Sequence, residues 1–282
     1  MSADRLQGLL QRFSVSARMF HSGPLCGIHD FGPANGSGQL HLIKRGPVEV
    51  RHGAGEVLWI EEPSLVLCLQ ASPHRFVTDA DTGADMACAN VSVGSGRSNP
   101  LGQALPPMLV LPLAELSAAT ALLDLLFEEA FSTRCGRQKV VDRLFEVVLI
   151  LILRRLLDSG RIEQGLLAGL SHPRLAKALV AMHDTPGKPW PLSELAACAG
   201  MSRSRFAEVF ASTVGMPPAS YLAGFRIALA QDLLLSERPL QLIAEEVGYG
   251  SPAALSRAFS AHCGMPPRAW KQAQLQLHTA VA

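Results

Sequence analysis

Apolar and polar residues alternate in short runs over residues 20–100. HLI at 41–43, VEV at 48–50, VLWI at 57–60 and LVLCL at 65–69 are divided by GPANGSGQ, KRGPVEVRHGAGE and TDADTGAD. Strand-length runs broken by Gly, Pro, Asn and Asp every ~8–12 residues predict a β-sandwich or barrel. From about residue 113 the period changes. LAELSAATALLDLLFEEAF (113–131) and KVVDRLFEVVLILILRRLLDSG (139–160) carry apolar residues at three-and-four spacing. That spacing predicts two long helices packed as a pair, whose wide apolar faces either only cover the β core or also meet a second subunit. The most apolar run, VVLILIL at 147–153, is seven residues long and stops at Arg154. A bilayer span needs about 20 apolar residues, so this run is a buried helix face.

Beyond a junction at Gly160–Ser171 the chain repeats itself. VGMPPASYL (214–222) recurs as CGMPPRAWK (263–271), and LAACAGMSRSRFAEVF (195–210) lines up with IAEEVGYGSPAALSRAFS (243–260). Each copy reads as a short helix, a Gly turn, a Ser, a second helix and then G-M-P-P. Leu195 and Ala196, like Ile243 and Ala244, give the first helix an apolar face with a small residue that permits close approach. Gly200 and Gly248 supply the left-handed conformation that a sharp reversal needs. Ser202 and Ser251 are placed to cap the helix that follows. Phe206 and Phe210, matched by Leu255 and Phe259, are core anchors. The pattern is a helix-turn-helix written twice. On the second helices the positions turned from the core are the candidate DNA readers. They are Arg203, Ser204, Arg205, Ala207 and Glu208 in the first copy, and Pro252, Ala253, Ala254, Ser256 and Arg257 in the second. An arginine there can pair bidentately with guanine or hold a phosphate. The second copy, with one arginine among small residues, leans on backbone contact, methyl contact and DNA shape.

Composition sharpens this picture. The 282 residues, 48% hydrophobic and 17% charged, suit two domains with a sizeable core and argue against disorder. The net charge of +1 argues at first against a nucleic-acid partner. It splits unevenly, however: ten Lys and Arg face seven Asp and Glu from residue 171 onward, leaving +3 there and −2 before. Six cysteines are too few for a disulfide scaffold. The amphipathic MSADRLQGLLQRFSV lacks the apolar core and cleavage site of a signal peptide, so a cytoplasmic location with reduced thiols is expected.

On these motifs, residues 171–275 resemble the double helix-turn-helix domain of AraC-type transcription regulators, and the closing GMPPRAW is similar to that family's G-x-S/T-P-x-x-Y/W ending. The resemblance implies seven helices, with two recognition helices in successive major grooves joined by a rigid helix over about Pro217–Ser236. Arg238 and Pro239 match the start of the family's second motif. Ala253 and Ala254 depart from it, standing where the family often has a large polar residue.

The first 110 residues, within an expected sensor domain of 1–165 that includes the helical dimerisation or linker region, resemble the cupin-type sensor of one AraC subset through SPHRF (72–76), MACANVSV (86–93) and NPLGQALPPMLVL (99–111), with Ala89 where the subset has Gly. The expected fold is therefore α+β: a cupin-like β-barrel with two packed helices, then an all-α domain. Within the subset the reactive-chlorine-responsive regulators are similar, and the resemblance picks out Cys26, His41, His74 and Cys88. Two Cys and two His suit a tetrahedral zinc, the candidate cofactor, although no C-x-x-C or H-x-x-x-H spacing supports it locally. The same thiols suit oxidation, since histidine neighbours favour the thiolate. Buried, inert thiols are the plain alternative for Cys26 and Cys88. Cys68, Cys135, Cys198 and Cys263 read as core positions, and His21, His29 and His52 as lesser candidates.

The expected function is a promoter-binding regulator, acting as a homodimer with RNA polymerase and switched by an oxidant or electrophile. A small molecule in the barrel is the alternative signal. A metal-dependent cupin enzyme fits poorly, because the dense His/Glu ligand set is missing.

Overall fold

The computed structural model describes residues 4–32, 38–53, 55–69, 73–94, 99–236 and 238–279. Contacts divide the chain into two compact units. One holds residues 15–93 and 105–155; the other holds 1–14, 94–104 and 156–282.

The first unit carries the strands β1 (Val15–Leu25), β2 (Ile28–Phe31), β3 (Gly38–Arg45), β4 (Val48–His52), β5 (Glu56–Ile60), β6 (Ser64–Cys68), β7 (His74–Val77), β8 (Ala84–Val93) and β9 (Leu109–Pro112). They form two antiparallel sheets, ordered β1-β8-β3-β6-β9 and β2-β7-β4-β5. Leu25, Ile43, Val66 and Met86 of the larger sheet meet Val48, Val50, Ile60 and Phe76 of the smaller in one core. This is the two-sheet, cupin-like architecture that the alternating runs require, since each sheet has an apolar face to bury. Central β3 is buried from Gly38 to Ile43, as a strand flanked by β8 and β6 should be.

Two helices follow, with one departure from the sequence expectation. Residues 113–131 do not form a single helix. Leu113–Ala119 is a 3₁₀ segment, kinked at Leu116 (φ −98°, ψ 37°), and the α-helix, which we number α3, spans Thr120–Ala130. The Leu113 N–H donates to the Pro63 carbonyl at 2.8 Å, which ties the segment's start to the chain entering β6. The next helix, α4, spans Arg137–Ser159 and buries Val141, Phe145, Val148, Leu149, Ile152 and Leu153. Where β1 bulges between Met19 and His21, Asp142 of α4 accepts from the Met19 N–H at 2.8 Å, and Gln138 donates to the Met19 carbonyl at 3.0 Å. Backbone groups turned out of the ladder thus find partners on the helix.

The second unit opens with α1 (Gln7–Arg12) and α2 (Pro100–Gln103) and continues with α5 (Leu166–Ser171) and α6 (Leu175–Asp184). Then come α7 (Leu192–Cys198), α8 (Arg203–Val214), α9 (Pro218–Leu235), α10 (Leu240–Glu246), α11 (Pro252–Cys263) and α12 (Pro267–Thr279). The seven helices α6–α12 match the count implied by the resemblance. The helix-turn-helix pairs are α7–α8 and α10–α11, joined by α9. Gly200 (φ +62°) and Gly248 (φ +82°) turn through the left-handed region. At Gly248 a Cβ would lie 2.5 Å from the Gly187 carbonyl oxygen, so glycine is required twice over. Ser202 and Ser251 accept from the N–H groups of Arg205 and Ala254 at 3.4 and 3.2 Å. Phe206, Phe210, Leu255 and Phe259 are fully buried.

Candidate functional site

The exposed faces of α8 and α11 form the candidate nucleic-acid interface. Phe206, Phe210, Leu255 and Phe259 hold one side of each helix in the core and so fix which residues face outward. On α8, Arg203, Ser204, Arg205 and Glu208 are exposed and Ala207 is half-buried. Arg205 pairs with Glu208 at 3.0 Å, one turn along the helix. On α11, Ala253 and Arg257 are exposed, while Pro252, Ala254 and Ser256 are half-buried. The first recognition helix therefore presents two guanidiniums and a carboxylate; the second presents a small, nearly apolar surface with one guanidinium. Arg238 pairs with Glu246 at 2.6 Å, bracing the ends of α10.

The cupin unit holds a second constellation. His41 on β3 and His74 on β7 reach from opposite sheets and meet Nε2 to Nε2 at 2.9 Å. One ring donates and the other accepts, so the contact holds a single proton. Phe31 stacks on His74 (5.4 Å between ring centres), and Phe76 lies against His41 at 4.7 Å. His41 is fully buried and its Nδ1 has no hydrogen-bond partner, a costly state for a polar atom. Burial drives its pKa well below the usual histidine value, and the nearby His74 and His21 add to the shift. The register aligns His21 of β1, Cys88 of β8 and His41 of β3 across three neighbouring strands.

This fold sets Cys26 apart from the other three expected sensor residues. Cys88 is fully buried, and burial pushes its thiol pKa up, away from the thiolate. Cys26 is exposed in the turn between β1 and β2, its sulfur resting on Gly83, and the His29 ring donates to its carbonyl at 2.8 Å. His41 and His74 meet side chain to side chain, and Cys88 is the cross-strand neighbour of His41. Among the described residues no three His, Cys, Asp or Glu side chains form a group able to hold a metal. The Cys26–His41–His74–Cys88 tetrad is thus not assembled here, because its first member stands outside the core that holds the rest. Two imidazoles alone do not fit a tetrahedral zinc.

Of the other cysteines, Cys68 is a core position, with its thiol pushed up to about 12 by burial. Cys198 and Cys263 are half-buried. Cys135, expected in the core, is exposed between α3 and α4. His21 gains weight from its place in register with Cys88 and, one strand further, His41. The bulge before it breaks the alternation that would have marked it in the sequence.

A cupin-like unit followed by two helix-turn-helix motifs defines a class of DNA-binding transcription regulators. The Cupin family profile matches residues 4–158, and a helix-turn-helix domain profile matches residues 195–273. An HTH-type transcriptional regulator of Haemophilus influenzae is 29% identical over 260 residues, 84% of this chain and 87% of that one. The RCS-specific HTH-type transcriptional activator RclR of Escherichia coli is 25% identical over 257 residues, covering 88% and 90%. Among solved structures, ToxT from Vibrio cholerae is similar over 95% of this chain and 98% of its own, at 12% identity and a TM-score of 0.39. The chain belongs to the AraC-type transcription regulators with a Cupin N-terminal domain: a DNA-binding regulator, not an enzyme. No helix among the described residues is long and apolar enough to cross a membrane.

Proposed function

We propose that this regulator is switched by an oxidant or electrophile acting on the cupin unit, with Cys26 as the thiol that meets the reagent. The observation that carries the reading is the contrast between the two cysteines: Cys26 is exposed, and Cys88 is sealed in the core with its thiol held protonated. Attack by the Cys26 thiolate on a two-electron oxidant gives a sulfenic acid and reduces the oxidant. Cys88 then reacts only if the sheets open. The likeness, over 88% of this chain, to an activator named as RCS-specific supports the same signal. Arg203, Ser204, Arg205, Ala207 and Glu208 of α8, with Ala253, Ala254, Ser256 and Arg257 of α11, contact promoter DNA. Two copies act together there and engage RNA polymerase.

A second reading is favoured by a cleft of about 380 Å³ bordered by Phe31, Arg51, His52, His74 and Arg75. A small molecule seated there would touch His74, the outer member of the histidine pair. A promoter–reporter assay in oxidant-treated cells separates the two. Cys26→Ser is expected to abolish induction and Cys88→Ser to blunt it, while Cys135→Ser leaves it intact. Full induction in both of the first two variants overturns the thiol reading and leaves the cleft.

A further inference from the structure

Helix α1 belongs to the compact unit that holds the DNA-binding helices, while the strands that follow it belong to the other. A six-residue helix is too short to persist alone, so its partners give it its shape. Leu6, Leu9 and Phe13 are buried along one side of the segment. Gly8 permits the close approach: a Cβ there would lie 2.6 Å from the Asp184 carboxylate and 3.2 Å from the His183 Cβ. Arg12 then donates from Nε to the His183 carbonyl and from Nη2 to the Asp184 carbonyl, both at 2.6 Å. These oxygens belong to the last turn of α6, where the helix has no N–H left to offer and its dipole favours a cation. Arg5 adds a bond to the Leu170 carbonyl at 3.3 Å and an ion pair to Asp158 at 2.9 Å. Phe13 completes the contact, edge-on to Phe225 with ring centres 5.5 Å apart.

Phe225 lies near the middle of α9, the helix that joins the two helix-turn-helix motifs. Its attitude sets the spacing and rotation between α8 and α11, which must match DNA grooves one helical turn apart, about 34 Å. A small tilt of α9 therefore misplaces one recognition helix whenever the other is docked.

We infer that residues 5–13 are a strap that fixes α6 and α9 for DNA binding, with Arg12 and Phe13 as positioning residues that never touch DNA. The strap runs straight into β1, which carries His21 and ends beside Cys26. Rearrangement in the cupin unit thus has a covalent route to the element that sets recognition-helix spacing. The inference rests on the DNA-binding assignment and extends it to residues outside the helix-turn-helix region.

The test uses the full chain. The wild-type protein selects its preferred duplex from a random-sequence pool, and affinity is measured on that duplex and on one with a single base pair inserted between the half-sites. Arg12→Ala removes two charge-assisted bonds from a half-exposed side chain without opening a core cavity. It is expected to weaken binding to the selected duplex by about tenfold while lowering affinity for the shifted duplex less, so the ratio between the two shrinks. Phe13→Leu is expected to act in the same direction, and exposed Gln11→Ala to change neither. Arg12→Ala binding both duplexes as tightly as wild type overturns the strap. So does a uniform loss on both that leaves their ratio unchanged, since that is mere destabilisation. A wild-type chain that enriches no sequence would sink the DNA-binding assignment itself, and the strap with it.

Discussion

His183 shows how a single residue makes the DNA-binding unit sensitive to acid. Its ring is buried, stacked on Phe225 at 4.7 Å, and its Nε2 shares a 2.6 Å hydrogen bond with the Tyr221 hydroxyl. Burial pushes its pKa down from 6.5 to about 3, and the nearby Arg12 charge adds to the shift. The folded value lies below the unfolded one, so between them the unfolded chain takes up the proton and the folded chain does not. Stability is full above pH 6.5 and is lost as pH falls through the window toward 3, by up to about 1.4 kcal/mol per pH unit. His41, shifted in the same direction, steepens the loss in the cupin unit. Urea unfolding followed from pH 7 to 5 is expected to give a smaller pH slope for the second unit in His183→Asn than in wild type. An unchanged slope removes His183 as its source. The pairing of His41 with His74 was not readable from their positions 33 residues apart, because it depends on two sheets facing each other. The family resemblance picks out both histidines, and only the facing of the two sheets gives their contact.

At the scale of elements, the two recognition helices are built alike and furnished differently. Each has a serine cap, a glycine turn before it and two buried anchors, all visible in the sequence because caps and left-handed turns demand particular residue types. The repeat made them legible twice. The surfaces differ: α8 offers Arg203 and Arg205, and α11 offers Pro252, Ala253 and Ala254 with Arg257. Arg203→Ala combined with Arg257→Ala is expected to abolish specific binding in gel shifts. In single variants, the slope of log affinity against log salt should fall by about one for each phosphate contact removed. Binding unaltered by the double change would remove these arginines from the interface. Elsewhere the elements were less legible. The 3₁₀ break at Leu116 and the placement of α1 come from tertiary partners, Pro63 and α6, which local periodicity does not record. Apolar spacing in the first dozen residues announces an amphipathic segment and says nothing of where it docks.

For the molecule as a whole, the modest charge limits how one chain grips DNA. A net +3 from residue 171 onward allows few phosphate contacts, and each contact matters less as salt rises. Two linked copies multiply those contacts by raising the local concentration of the second DNA-binding unit once the first is docked. The cupin unit leaves apolar side chains in solvent on its two helices: Val140 and Val147 on α4 are 42% and 40% exposed, and Leu125 on α3 is 43% exposed. Val140, Leu144, Val147 and Leu151 recur at four-three-four spacing, the seam by which two helices interlock. The buried side of α4 is formed by Val141, Phe145, Val148, Leu149, Ile152 and Leu153, so a charge at exposed Val147 leaves the fold intact. Val147→Glu is therefore expected to convert a dimer to a monomer in sedimentation analysis while the far-ultraviolet spectrum is unchanged. It should weaken binding to a two-site promoter fragment far more than binding to a single site. If wild type sediments as a monomer, or if the substitution leaves a dimer in place, this seam is not where two copies meet, and the affinity of one chain must come from α8 and α11 alone.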